Sequence, residues 1–206
     1  VTYYRVLVTN GASAPEYSAT FTVNLSTPAT GGTVSGGTTV CITSNSTELT
    51  LNGSSGNIQW QSSTNNSSFT NISGATIATY TAAGLTQKTY FRALLTSGAC
   101  SVYSNTDSIL VNAASAGGSI SGGTTVCTGT NSTSLTLNGH TGTIIKWQWS
   151  STSDFSSDVN DISNTSTGYT ATNLSATTYF RAEVKNGVCA ADYSSIATVS
   201  VSEAAV

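Results

Sequence analysis

Charged side chains are scarce in this chain, and the basic ones are the scarcest. The 206 residues include six Lys and Arg against nine Asp and Glu, for a formal net charge of −3, and there is no Met, one His and only two Pro. Nucleic-acid binding requires a clustered basic footprint, so the composition excludes that class of protein. No apolar run reaches the roughly 20 residues that span a bilayer as a helix, and the first residues carry no signal-peptide pattern.

The residues that are abundant favour strands and turns. Thr, Ser, Asn and Gly dominate the chain. β-Branched Thr and Val suit a pleated surface, whereas Asn and Gly suit turns. No helical periodicity extends beyond two turns. We therefore expect an all-β fold.

One stretch of sequence occurs three times and sets the organisation of the chain. The arginine within it recurs after 87 and then 89 residues, at Arg5, Arg92 and Arg181. Self-similarity at a fixed period indicates a repeat array. The spacing predicts three domains or parts of domains: residues 1–25 as the C-terminal hairpin of one repeat, residues 26–113 as a second repeat, and residues 114–206 as a third. The three copies of the stretch are Thr2–Tyr17, Lys88–Tyr103 and Thr177–Tyr193.

Each copy of this stretch predicts a β-hairpin with one buried face. Apolar residues alternate with polar ones on its first strand, which is typical of a strand half-buried against a core. A Gly turn follows, as tight hairpins require. The residues expected to point inward are Phe180, Ala182 and Val184, their equivalents Phe91, Ala93 and Leu95, and Tyr4, Val6 and Val8 in the first copy.

The remainder of each repeat predicts a two-layer sandwich. Junctions rich in Gly, Ser and Ala precede each repeat, at Ser26–Gly37 and Ala113–Gly123, and contain short first strands at Thr33–Ser35 and Ser119–Ser121. About seven strands per repeat, separated by turns, indicate tandem immunoglobulin-like antiparallel β-sandwiches. The three tryptophans, Trp60 in one repeat and Trp147 and Trp149 in the next, are expected to lie in the cores, with Trp149 the most open to solvent. Ile145, Trp147 and Trp149 are predicted to share one face of their strand.

Four cysteines permit three pairings, and the repeat favours one. Cys41 and Cys100 belong to one repeat, and Cys127 and Cys189 occupy matching positions in the next. We therefore expect the bonds Cys41–Cys100 and Cys127–Cys189, and with them an oxidising location outside the cytoplasm. The partial first repeat has Ser13 at the corresponding place. A zinc site is the competing interpretation, but single cysteines far apart without clustered His do not resemble one.

The succession GGTVSGGTTVC, LTLNG, WQSST and TTYFRAEVKNGVC resembles the immunoglobulin-like repeats of giant cell-surface adhesins in Bacteroidota. It is most similar to those of the mobile gliding-motility adhesin of flavobacteria. The resemblance covers the whole chain. It implies export by the type IX secretion system, display at the outer membrane and attachment to substrata or polysaccharide. It also makes Asp107-Ser108-Ile109 similar to the O-glycosylation acceptor motif of these bacteria, with Ser108 as the modified residue.

Two groups of polar residues are candidate binding sites with simpler alternatives. Asp154, Asp158 and Asp161 lie in one loop and could supply oxygen ligands to calcium, but their spacing matches no EF-hand, so a solvated acidic loop is preferred. The recurring arginines Arg5, Arg92 and Arg181 could anchor a ligand. Cross-strand pairing, or packing over the aromatic ring beside the arginine, explains a repeated position more simply.

No catalytic constellation is visible in the sequence. His140, the single histidine, falls in a turn without a nucleophile or an orienting residue beside it, so we expect a turn residue rather than a base. The chain is therefore not expected to be an enzyme or to need a cofactor.

The sequence thus favours a structural and adhesive protein. We expect a disulfide-stapled stalk of a secreted surface filament whose partners are extracellular surfaces or polysaccharides, neighbouring repeats and, by the resemblance, the outer-membrane motility and secretion machinery. The alternative is a polysaccharide-binding module array of a large secreted enzyme, which recognises its ligand through exposed aromatic residues such as Trp149 or through the Asp154 loop.

Overall fold

The structure is a computed structural model that describes residues 1–203, and every regular element in that range is a β-strand. No helix long and apolar enough to cross a membrane occurs among these residues. The prediction of an all-β fold is therefore confirmed.

The described chain divides into two compact units that do not follow the sequence repeat. The first comprises Val1–Gly36, Glu48–Tyr80 and Tyr90–Asp107, and the second comprises Gly37–Thr47, Thr81–Thr89 and the chain from Ser108 onward. An edge strand, residues 81–89 and nearly all of the last strand of the first repeat thus group with the second repeat.

The strands fall into three consecutive sets. Residues 1–25 contain β1 (Thr2–Tyr4), β2 (Leu7–Val8), β3 (Glu16–Tyr17) and β4 (Phe21–Val23). The next set is β5 (Thr33–Ser35), β6 (Thr39–Cys41), β7 (Ser46–Asn52), β8 (Asn57–Ser63), β9 (Thr70–Asn71), β10 (Thr79–Ala83), β11 (Thr89–Ser97), β12 (Cys100–Tyr103) and β13 (Asp107–Asn112). The last set is β14 (Ser119–Ser121), β15 (Thr125–Cys127), β16 (Ser132–Asn138), β17 (Thr143–Ser150), β18 (Asn160–Ile162), β19 (Gly168–Thr172), β20 (Thr178–Lys185), β21 (Asp192–Tyr193) and β22 (Ala197–Ser202).

The last set forms two sheets with an immunoglobulin-like strand order. One sheet runs β14-β16-β19 and the other β15-β22-β20-β17-β18, with β21 also paired to β20. β15 runs parallel to β22. β14 and β15 are successive parts of one strand that changes sheet, and β21 and β22 are successive parts of the strand beside β20, so the nine segments amount to seven strands. The middle set has the same order, β5-β7-β10 and β6-β13-β11-β8-β9, with β12 on β11.

An aromatic cluster lies at the centre of each core. Trp147 is fully buried, and its ring lies 5.8 Å from that of Tyr169, which in turn lies 5.7 Å from that of Phe180. The first unit repeats this arrangement with Trp60, Tyr80 and Phe91. Leucines from β16 and small or branched residues from β20 and β22 complete the second core: Leu135, Leu137, Ala182, Val184, Ala197 and Val199. The alternation predicted for the recurring hairpin is thus confirmed in the second and third copies.

In the first copy the inward assignment is wrong. Tyr4, Val6 and Val8 are each about 60% exposed. β1 pairs only with β4 and β2 only with β3, so the described residues provide no second sheet to cover these side chains.

The predicted face of β17 is also partly wrong. The pairing of β17 with β20 shifts register between Ile144 and Lys146, which makes Ile145 the extra residue of a β-bulge. Ile144 is consequently buried beside Trp147, whereas Ile145 is 44% exposed. Trp149 keeps to the core side of the strand but lies 38% exposed at its end, so it is not a core residue.

The predicted disulfide pairing is wrong. Cys41 is bonded to Cys189, with Cα atoms 5.0 Å apart and 148 residues between them in sequence, while Cys100 and Cys127 are free and exposed. The bond therefore joins one repeat to the next. The physical reason is that Cys41, on β6, lies beside the end of β13, where the chain enters the next repeat and meets the hairpin loop that carries Cys189.

Candidate functional site

The disulfide forms part of a joint built from three short segments, all of them in the second compact unit. We define this joint as Cys41, Asn112–Ser115 and Asn186–Cys189. Cys41 is held in place because β6 runs parallel to β13, with Cys41 opposite Asn112, and the amide of Ile42 donates a hydrogen bond to the carbonyl of Asn112. The parallel pairing therefore places Cys41 at the end of β13, where the first repeat ends.

The hairpin loop of the second repeat is bound to the same segment by polar contacts. The amide of Asn186 donates to Oγ of Ser115 at 2.9 Å, and its side-chain amide donates to the carbonyl of Ala113 at 2.9 Å. Gly187 lies directly against the side chain of Asn112. With φ at +55°, Gly187 has a backbone conformation that favours glycine, and a Cβ there would collide with the Asn112 amide group. The segments of the joint are therefore held together by hydrogen bonds and close packing as well as by the disulfide.

An arginine is held between two aromatic rings in each unit. The guanidinium of Arg181 lies 4.1 Å from the ring centre of Phe155 and 3.8 Å from that of Tyr193, and its Nε donates to Oε1 of Gln148 at 2.8 Å. Arg92 repeats this with Phe69, Tyr103 and Gln61, and Arg5 lies over Tyr17. The structural interpretation of the repeated arginines, packing over a ring, is confirmed.

A small charge network lies on the outer face of β17. Lys146 donates to Asp161 at 2.8 Å and lies 3.5 Å from Glu183. The hydrogen bond to Asp161 raises the pKa of Lys146, while the hydrogen bonds from Lys146 and Gln148 lower the pKa of Asp161. The pair lies at the surface, where such bridges contribute little to stability.

The three aspartates proposed for calcium are not brought together. Hydrogen bonds from the hydroxyl and then the amide of Ser156 lower the pKa of Asp154, and Asp158 accepts a hydrogen bond from the hydroxyl of Ser151. Asp161 is committed to Lys146. Within residues 1–203 no group of three His, Cys, Asp or Glu is arranged to hold a metal ion. Asp154 and Asp158 therefore accept hydrogen bonds from residues of their own loop, whereas Asp161 does not.

Trp149 forms one wall of a surface hollow of about 340 Å³. The hollow lies at the end of the second core, where the sheets leave the aromatic cluster partly uncovered. Apolar walls and hydroxyl groups share its lining, which includes Trp149, Ser151, Tyr169, Leu174, Thr178 and Phe180. An exposed indole beside hydroxyl donors is suited to a ligand with an apolar face and a polar edge, such as a sugar ring. The equivalent residue of the first repeat is Ser62, so the indole wall of this hollow is particular to the second repeat.

The other predicted residues lie apart from this hollow. His140 is half-buried in the turn after β16, as the sequence predicts. Ser108 lies half-buried within β13, on a strand rather than in an exposed loop. Neither residue belongs to the joint or to the hollow.

Two repeated structural features were missed in the sequence. Gln61 and Gln148 are buried under the arginines rather than directed to solvent. Asn45 donates to the carbonyls of Cys41 and Leu85, and Asn131 makes the same contacts one repeat later. The signal was available, because each of these residues keeps its identity at matching positions of the two repeats.

Comparison with known proteins gives a family but no activity. No curated protein matches the chain significantly. Among solved structures, the FN1–FN3 domains of chicken CNTN1 align with a TM-score of 0.39 at 12% identity, covering 86% of this chain and 67% of that one. Murine CEACAM1b aligns with a TM-score of 0.44 at 16% identity, covering 80% of this chain and 96% of that one. The family described as Domain of unknown function (DUF8696) matches residues 30–113 and again residues 116–203, and the chain therefore belongs to that family.

Proposed function

We propose that this chain is a repeat segment of an extended, secreted cell-surface adhesin, in which each immunoglobulin-like domain serves as a spacer. The Cys41–Cys189 bond carries the proposal. A disulfide between successive repeats fixes one repeat to the next, whereas a bond within a repeat would stabilise only that repeat. Covalent joints of this kind suit a stalk that transmits force.

Repetition supplies the adhesive role in this proposal. Many weak contacts along an array raise attachment through effective concentration, without a strong single site. The resemblance to Bacteroidota adhesins supports the finer proposal of type IX export, outer-membrane display and gliding motility.

Small-angle scattering of the oxidised chain tests the stalk. A compact globule of 206 residues has a radius of gyration of about 17 Å. We expect a clearly larger value, which rises in proportion to repeat number in longer arrays. A value near 17 Å, or a weak rise with added repeats, would contradict a stalk.

A second candidate function is polysaccharide binding by the second repeat, and the hollow at Trp149 is the observation that favours it. A glycan array tests it directly. We expect binding that Trp149→Ala abolishes and Trp149→Phe partly retains, because sugar stacking needs an aromatic face. Ile145→Ala is the matched control, since Ile145 is similarly exposed on the same strand but lies outside the hollow. Equal loss in Trp149→Ala and Ile145→Ala would exclude this site.

A further inference from the structure

The two free cysteines occupy the same positions in the repeat as the two bonded ones. Cys127 matches Cys41 at the end of the edge strand, and Cys100 matches Cys189 after the hairpin glycine. A free cysteine alone indicates nothing. Here the equivalent pair is bonded, and the surroundings of each free cysteine can be compared with the completed joint.

Cys127 lies in a half-joint that reproduces the surroundings of Cys41. β15 runs parallel to β22 and places Cys127 opposite Ser202, as β6 places Cys41 opposite Asn112. The amide of Thr128 donates to the carbonyl of Ser202 at 2.9 Å, which is the bond that Ile42 makes to Asn112 in the completed joint. The edge-strand part of a second joint is thus formed as far as Ser202, with its thiol exposed.

Cys100 lies in the complementary half. Gly98, at φ +57°, packs against the side chain of Ser26, just as Gly187, at φ +55°, packs against Asn112. Ser26 and Asn112 are equivalent positions, nine residues after Tyr17 and Tyr103 respectively. The hairpin loop of the first repeat therefore already lies on the strand end that precedes it, and what the half-joint lacks is a cysteine on an edge strand.

We propose that Cys127 and Cys100 are half-sites of inter-repeat disulfides, so that every repeat in the array is bonded to both of its neighbours. The partner of Cys127 is the hairpin cysteine of a following domain of this family, and the partner of Cys100 is the edge-strand cysteine of a preceding one. The inference rests on the proposed function, because it requires an array. Under this proposal, disulfides link every repeat of the array to the next, and no repeat is held only by the main chain.

Bond formation requires an oxidant, for which a small-molecule disulfide such as oxidised glutathione suffices. The thiolate of one cysteine attacks this disulfide, forms a mixed disulfide and releases one glutathione thiolate. The thiolate of the second cysteine then attacks the protein sulfur and releases the other. Two thiols lose two protons and two electrons, and the small disulfide gains them.

Extending the chain by one repeat tests the Cys127 half-site. A second copy of residues 117–206, added after Val206, preserves the register of the repeat because Ser202 is equivalent to Asn112. The protein is refolded with reduced and oxidised glutathione, alkylated, and digested with trypsin without reduction. We expect the peptide 93–146, which carries Cys127, to be linked to the C-terminal peptide 186–206 of the added copy.

The cleavage pattern distinguishes the original Cys189 from the Cys189 of the added copy. The original Cys189 then lies in a longer peptide, since no Lys or Arg separates residue 186 from the added residues up to the copy's own Lys146. Release of the terminal peptide as a free, alkylated thiol, while Cys41–Cys189 is formed, would overturn the proposal. Cys127→Ser in the extended chain is the control: it should free the terminal peptide, leave the Cys41–Cys189 bond intact and keep the circular-dichroism spectrum unchanged.

Extension at the other end tests Cys100. Residues 30–87 placed before Val1 complete the partial repeat, because Val1 is equivalent to Lys88. The added copy's Cys41 should then bond to Cys100 and link the N-terminal peptide, which ends at Arg5, to the peptide 93–146. An unlinked N-terminal peptide in a folded protein would overturn this half of the proposal. Both readouts are independent of scattering and glycan binding, so a failure here is distinguishable from a failure of the proposed function.

Discussion

Gly187 packs so closely against the side chain of Asn112 that a Cβ at this position would require Asn112 to move. Asn112 Oδ1 is buried there without a hydrogen bond. The contact is short in space but spans 75 residues of sequence, and it aligns the hairpin loop so that Cys189 meets Cys41. The joint therefore depends on a glycine as well as on two cysteines.

Gly187→Ala is expected to destabilise the second unit by more than backbone strain alone. An L-residue at positive φ costs about 1–2 kcal/mol, and the added Cβ must also displace Asn112. Gly139→Ala is the matched control, because Gly139 also has positive φ but open space at its Cβ. Denaturant unfolding measures both variants, and equal losses would mean that the Asn112 contact is irrelevant.

Arg181→Ala is expected to lower the free energy of unfolding by about 1–3 kcal/mol. It removes two ring contacts and leaves the buried Gln148 without its hydrogen-bond donor. Lys185→Ala, at an exposed end of the same strand, should change stability by less than about 0.5 kcal/mol. If the two variants unfold alike, the arginine sandwich has no structural role.

The second unit is expected to lose some stability in acid. The pKa of Asp161 is lower in the folded protein than in the unfolded chain, so its contribution is present above the unfolded value near 4 and is lost as pH falls through the folded value. In the Asp161→Asn variant, the melting temperature should fall less between about pH 5 and 2 than it does in the unmodified protein. Because the pair is exposed, the difference should shrink in high salt. An unchanged pH profile in the variant would show that Asp161 does not contribute.

Acrylamide is expected to quench the fluorescence of one tryptophan and leave that of the other two largely unchanged. Trp60 and Trp147 are fully buried, whereas Trp149 is exposed at the hollow. Acrylamide should quench a single component, and Trp149→Phe should abolish that component. Quenching that persists in the variant would place solvent beside one of the core tryptophans.

The secondary structure was predictable from sequence because local patterns determine it. The first strands of the two complete repeats, Thr33–Ser35 and Ser119–Ser121, begin and end where the sequence predicts. The bulge at Ile145 also had a signal: Asn138 and Trp147 are nine residues apart, whereas their equivalents Asn52 and Trp60 are eight apart. When two residues of a strand keep their pairing partners, an extra residue between them is left unpaired and forms a bulge.

The disulfide was not predictable in this way. Cys41 occupies the same repeat position as Cys127, and Cys100 the same position as Cys189. This pattern is compatible with bonds within repeats or between them, and sequence spacing alone cannot distinguish the two. The decision lies in a long-range feature, the parallel pairing of β6 with β13, which carries Cys41 to the end of its own repeat. The exposure of Trp149 is likewise a matter of where the opposing sheet ends, and no local periodicity records that.

Peptide mapping of the unmodified chain is the most direct test of the joint between repeats. After alkylation and tryptic digestion without reduction, the structure predicts that peptide 6–88, which carries Cys41, is linked to peptide 186–206, which carries Cys189. Peptide 93–146 should appear alone with both of its cysteines, Cys100 and Cys127, alkylated. All three peptides linked through 93–146 would instead show that Cys41 and Cys189 are bonded to Cys100 and Cys127, which would contradict the account.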